Sequence, residues 1–445
     1  MSQDNHDKIK NEKDDLSLNL KHGNLIQRQR DMLTLPHVAL VTAALFTRPV
    51  KDIAKNPNKR LDTFFSTTVS KKIEAFDQKN TGTCWLQAGM TLISIYASMK
   101  DIKFRPSITY LMFYDKLEKS AVFLHKFLSG DQLDERTRIF LLQDPISDGG
   151  TWSMFCHLIK KYGITTESSY PDTFQAKNTG YMNAVINNYL RKAILNLSYE
   201  NIHEHIDKIH MILLTCLSKP PENLNLYKSE HGIDFKGTPL EFYKKIDIDF
   251  DSYVCLMHAP NKITPSTYAV YSTNDYETES QHIFHTTSLD CLKKTCVTCL
   301  EQNHPIWFTA NISGGADFDR KIMEIKAIDY DMLFDIEWDE TQMNKESLME
   351  SRCISPNHAM TIVGVHLDHN KLPIRWKVQN SWGKEQAYLV MSNEWFNSNV
   401  FEIVVPSRFV DCEIKNKNDP KKLKPWDILS TVAKNEKKCV YNHFK

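Results

Sequence analysis

From Cys84 to Met99 the chain reads CWLQAGMTLISIYASM, apolar nearly all the way round a helix. No face of such a helix suits water, so it has to lie inside a core. The chain can build one: its 445 residues are 41% hydrophobic and 25% charged, which excludes wholesale disorder. At about 150 residues per domain, the length allows two or three domains or one enlarged by insertions.

The other periodic segments divide by position. Tyr110 to Leu128, Trp152 to Tyr162, Asn183 to Leu217, Leu240 to Tyr243 and Ser288 to Glu301 carry helical spacing. Strand signals gather late. They are His304 to Asn311, His358 to His366, Ile374 to Gln379, Tyr388 to Met391 and Phe401 to Val405. Helices first and an antiparallel sheet last predict an α+β fold rather than alternating βαβ units. Residues 1 to 30 are polar, with few apolar positions, and are expected to be a disordered tail.

Composition narrows the classes of function. Fifty-five basic residues face fifty-five acidic ones, which argues against a surface built throughout for nucleic acid. The longest apolar run, His37 to Phe46, is about half of the roughly 20 residues a spanning helix needs, so no membrane partner is expected. Met1 to Asp15 lacks the apolar core of a secretory signal. The 10 cysteines are irregularly spaced and predict free thiols in a reducing, cytoplasmic setting.

Three short segments carry chemistry together: Gln78 to Trp85 (QKNTGTCW), Asn357 to Met360 (NHAM) and Val378 to Gly383 (VQNSWG). Each alone has an ordinary explanation: a core thiol, a structural histidine, a turn asparagine. Jointly they fit nucleophilic catalysis. Cys84 at the first turn of a helix has its thiolate favoured by the helix dipole. His358 beside it stabilises the thiolate and protonates the leaving amine. Asn380 holds the imidazole in one tautomer. Gln78 and the Cys84 backbone N–H receive the oxyanion, and Trp382 covers the His–Asn bond. The order Cys, His, Asn extends over about 300 residues.

With these residues in place, the chain resembles the papain-like cysteine peptidases, and within them the branch of bleomycin hydrolase and bacterial aminopeptidase C. Further stretches resemble that branch: Ser107 to Glu118 (SITYLMFYDKLE), Asp148 to Met154 (DGGTWSM), Thr238 to Tyr243 and Asn393 to Phe396. The resemblance implies a helical half carrying Cys84 and an antiparallel β half carrying His358 and Asn380. It places the peptidase domain at 31–425, with a mainly helical insertion at about 175–300 and a C-terminal arm and basic extension at 426–445. It implies peptide substrates, aminopeptidase action, a homohexamer and no cofactor. Gly149 and Gly150 would pair with an extended substrate, and Ala433, at the end of the arm, would lie near Cys84.

Some features depart from that pattern. Residues 434–445 run on past Ala433, so a free carboxylate there requires trimming or a detour of the tail. Asp77 stands where the family usually has asparagine, and Gln87 and Gly89 replace bulkier residues. Two alternatives follow: an endopeptidase or carboxypeptidase if the tail leaves the cleft, and a scaffold of reduced activity that binds protein or nucleic acid. From Glu413 to Lys445 nine lysines face four acidic residues, a local excess of +5, which would support weak, salt-sensitive nucleic-acid binding. Cys291, Cys296, Cys299 and His304 have the spacing of a zinc cluster, but the three cysteines fan over more than one face of the predicted helix Ser288 to Glu301, so no metal site is expected there.

Overall fold

A computed structural model describes residues 22–129, 133–270, 281–313, 315–336, 343–414 and 419–430. The chain divides into two compact units. The smaller takes the described residues up to Lys59 together with 326–336. Its helices are His22–Leu33, Pro36–Leu45, Val50–Ile53 and Tyr330–Phe334. Pro36 opens its helix at a position where no N–H is needed. Ala54, Ile328 and Leu333 form a small core. The predicted tail is therefore corrected for residues 22–30, which are helical. Leu25 and Ile26 are half-buried there, too few to produce a readable period. Residues 1–21 lie outside the described residues.

The larger unit is built around the helix Cys84–Met99, in which 13 of 16 residues are buried. It packs on the helices Ile108–Leu128 and Trp152–Tyr162 and on the strand His358–Leu367. Gly89 allows the approach of the helix Trp152–Tyr162, because a Cβ there would lie 2.6 Å from the Phe155 ring. Hydroxyl side chains start the neighbouring helices: Ser107 accepts from the Tyr110 N–H, Thr151 from Met154 and Ser288 from Cys291.

The sheet's centre runs in the order Tyr253–Met257, Val400–Pro406, Ile306–Ala310, His358–Leu367, Pro373–Gln379 and Tyr388–Ser392, each antiparallel to the next. Ile283–Thr286 then pairs in parallel with Tyr253–Met257 and in antiparallel fashion with Ser266–Val270. The segment expected as a helical insertion is mainly helical through Ile246, interrupted by the paired short strands Leu224–Leu226 and Phe235–Gly237, after which three of these strands join the sheet. Ser266–Val270 is buried on both faces, so it shows no alternation to read. No described helix is long and apolar enough to cross a membrane.

The free-thiol expectation is corrected at one pair: Cys291 and Cys412 form a disulfide across 121 residues, a separation that no local spacing displays. Seven other described cysteines are free. Cys296 and Cys299 are buried in the core, as apolar side chains would be.

Candidate active site

The loop before the long helix is fixed from several sides. Asp148 accepts from the Gly82 N–H at 3.1 Å, and the Asp148 carbonyl accepts from the Trp85 indole at 2.7 Å. Thr83 is the N-terminal cap residue, but its hydroxyl does not cap; it meets Thr81 at 2.7 Å and accepts from Gln87 at 3.2 Å. Thr81 donates in turn to the Gln78 carbonyl at 2.6 Å. A directed chain of hydrogen bonds therefore runs from Gln87 back to Gln78. Cys84 follows as the first helical residue and is 1% exposed. The positive end of the helix dipole lies at its sulfur.

His358 opens the strand His358–Leu367, and the next residue, Ala359, points its N–H at the Cys84 Sγ, 3.5 Å away. The sheet register is what brings this about. His358 lies opposite Ala310, and Thr361 lies opposite Gln379, the residue before Asn380. Nε2 of His358 stands 2.9 Å from the Asn380 Oδ1. Trp382 covers the imidazole, with ring centroids 5.1 Å apart, and Phe318 meets the indole edge-on at 4.7 Å.

Gln78 is tied to the Asn380 loop. Its N–H donates to the Ser381 carbonyl at 2.8 Å, and its Oε1 accepts from the Ser381 hydroxyl at 2.8 Å. Its Nε2 donates one hydrogen to the Thr81 carbonyl at 2.9 Å; an amide nitrogen carries two. Asp77, the charge flagged next to it, is paired with Lys79 at 2.5 Å. Asp77 also presses on Gly383, whose φ of +78° and lack of Cβ permit the contact.

Gly149 and Gly150 are buried on the loop after Asp148. A Cβ on Gly150 would lie 2.5 Å from the Trp85 ring, and the Gly149 carbonyl is taken by Lys119 at 2.7 Å. Lys119 thus takes one of the two lone pairs of that carbonyl. Ala433 lies outside the described residues. What sequence reasoning missed is the grip behind this loop: two lysines, Lys116 and Lys119, each 0% exposed. Both donate to the Ser147 carbonyl, Lys116 also to Asp148 and Lys119 also to Asp115. Burial pushes the Asp148 carboxyl up, but Lys116, Thr179 and Asn183 hold it well below the usual range. Lysine usually faces solvent, so nothing in the pattern signalled its burial here.

Burial also sets the state of the histidine. It holds the His358 imidazole down to about 4, against the opposing bond from Asn380. The ring is therefore neutral at neutral pH unless an anion stands beside it, and a Cys84 thiolate is such an anion. The two groups then share one proton. In a Cys84→Ser variant His358 is expected to titrate near pH 4, and in the unaltered protein well above that. Imidazole NMR across the pH range measures both; coincident curves would contradict the coupling. The sign for stability follows. His358 binds its proton more weakly folded than unfolded, so in the serine variant stability falls as pH drops from about 6.5 to about 4.

The chain is similar to known proteins over most of its length. A model of the Peptidase C1-like family matches residues 20–430. The aminopeptidase C of Lactobacillus delbrueckii subsp. lactis is 32% identical over 404 residues, covering 84% of this chain and 89% of that protein. The aminopeptidase C of Listeria innocua is 27% identical over 427 residues, covering 89% and 95%. The crystal structure of PepW from Lactobacillus rhamnosis superposes with a TM-score of 0.84 at 26% identity, over 94% of this chain and 100% of that one. A match running nearly end to end, on a fold that sets a helix-borne Cys84 against a His358–Asn380 pair, means that the chain belongs to the Peptidase C1-like family.

Proposed function

We propose that the protein is a cysteine aminopeptidase that removes N-terminal residues from peptides and related amides. One observation carries the reading: the Cys84 sulfur lies against the first residues of the strand that begins with His358, and His358 is bonded to Asn380. The Cys84 thiolate attacks the carbonyl carbon of the scissile amide. The oxyanion is received by the Cys84 N–H and the second hydrogen of Gln78 Nε2. His358 passes its proton to the leaving amine as the C–N bond breaks, leaving a thioester. Water then attacks the thioester while His358 takes its proton, and the carboxylic acid leaves as the thiol reforms. Asn380 and Trp382 keep the imidazole oriented and dry.

The preference for a free N-terminus is supported by the relatives' printed name, aminopeptidase C. Its test is a pair of otherwise identical peptides, one N-acetylated. Losing charge-assisted contacts to the ammonium is expected to lower kcat/KM at least about 10²-fold. Equal rates would overturn aminopeptidase action and favour the endopeptidase alternative.

Homohexamer assembly is part of the same proposal. It is supported by large apolar side chains left in solvent on the helical segment: Tyr181 at 86%, Leu195 at 84%, Phe174 at 74% and Tyr199 at 72% exposure. A cytoplasmic location is supported by the seven free cysteines, while the Cys291–Cys412 pair argues against it.

A further inference from the structure

Cys255 lies on the strand Tyr253–Met257 and Glu402 on its antiparallel neighbour Val400–Pro406. The register sets Cys255 opposite Val404, so Cys255 and Glu402 share one face of the sheet as diagonal neighbours. His282 directly precedes the strand Ile283–Thr286, which pairs with Tyr253–Met257 from the other side. All three residues are buried, at 5%, 2% and 1% exposure. One sulfur, one ring nitrogen and one carboxylate oxygen converge within 4.8 Å of one another.

Two details argue against an ordinary polar contact. The His282 Nε2 stands 2.9 Å from the Glu402 Oε1, yet that oxygen has no hydrogen-bond partner. The pair is close without being hydrogen-bonded, as two ligands of a common ion are. A buried carboxylate oxygen left without a donor is costly by itself. The second detail is the far side of the ring, where Nδ1 lies 3.1 Å from the Ser153 hydroxyl. In the tautomer whose Nδ1–H donates to Ser153, the Nε2 lone pair faces Glu402 and Cys255, the orientation that outer partners impose on metal-bound histidines.

We propose that Cys255, His282 and Glu402 form a zinc site. Thiolate, imidazole and carboxylate are all zinc ligands, and a tetrahedral ion takes its fourth from water. A thiolate disfavours calcium and magnesium, which take oxygen ligands. The thiolate and carboxylate also balance the charge of a divalent ion. The site would cross-link three strands and, through Ser153, the helix Trp152–Tyr162. The site stands apart from the chemistry at Cys84.

The test uses the full chain carrying Cys84→Ser, which removes the reactive thiol as a competing ligand. After loading with zinc and dialysis, elemental analysis is expected to find about one zinc per chain, and removal of the metal is expected to lower Tm. Cobalt loading is expected to give the near-ultraviolet thiolate-to-cobalt charge-transfer band. Adding Cys255→Ser is expected to abolish the band and cut retained zinc at least about tenfold; the isosteric Glu402→Gln provides a second check if that variant folds poorly. Retention below about 0.1 zinc per chain with all three residues present, or undiminished zinc in both variants, would overturn the proposal.

Discussion

Replacing Cys84 by serine is expected to lower kcat/KM for amide hydrolysis by on the order of 10⁴-fold or more. The substitution is nearly isosteric at a position 1% exposed, so the fold and Tm should change little. The loss is chemical. A thiol gives up its proton to form an ion pair with imidazole, whereas a serine hydroxyl holds its proton far more strongly. No such ion pair stands ready in the serine variant, and a neutral hydroxyl is a far weaker nucleophile than a thiolate. A fluorogenic aminoacyl amide assayed beside a thermal melt separates chemistry from folding. Retention of a tenth of the activity would remove Cys84 from the mechanism.

The second large effect is on stability. Changing Lys119 to methionine is expected to destabilise the larger unit by about 3–5 kcal/mol, because it leaves a buried partner charge uncompensated. Lys119 is 0% exposed. Its ammonium donates to Asp115 at 2.9 Å, to the Ser147 carbonyl at 2.8 Å and to the Gly149 carbonyl at 2.7 Å. It also lies 5.5 Å from the centre of the ring of Trp85, the residue next to Cys84. Burial pulls its proton affinity down and Asp115 restores part of it, so each charge depends on the other. The double variant Asp115→Leu, Lys119→Met should therefore be less damaged than Lys119→Met alone. Urea midpoints measure both. A single-variant loss under about 1 kcal/mol, or strict additivity, would show that the cluster is not coupled in this way.

These two residues mark how far the chain could be read before it folded. The helix carrying Cys84 was legible to its ends, Cys84 and Met99, because its apolar period is local. So were the strands bearing His358 and leading to Asn380. Lys116 and Lys119 were not, since their burial depends on carbonyls from residues 147–149, about thirty positions away. The strands Tyr253–Met257, Ser266–Val270 and Ile283–Thr286 were hidden for a related reason. A short strand covered on both faces has no polar side to alternate with. The pairing of Cys291 with Cys412 and the gathering of Cys255, His282 and Glu402 depend on register between distant segments, which no spacing along the chain encodes.

Side-chain type and short-range period pointed to Cys84, His358, Asn380 and Gln78 as candidates, because the covalent chemistry of amide cleavage admits few residue types. Which atoms those residues meet was settled by the pairing of strands. A 3.5 Å approach between the Cys84 sulfur and the Ala359 N–H depends on a helix packing on a strand 275 positions away. Contacts of that range form only when burial of a common core outweighs the entropy of closing so long a loop, and that balance belongs to the folded chain as a whole.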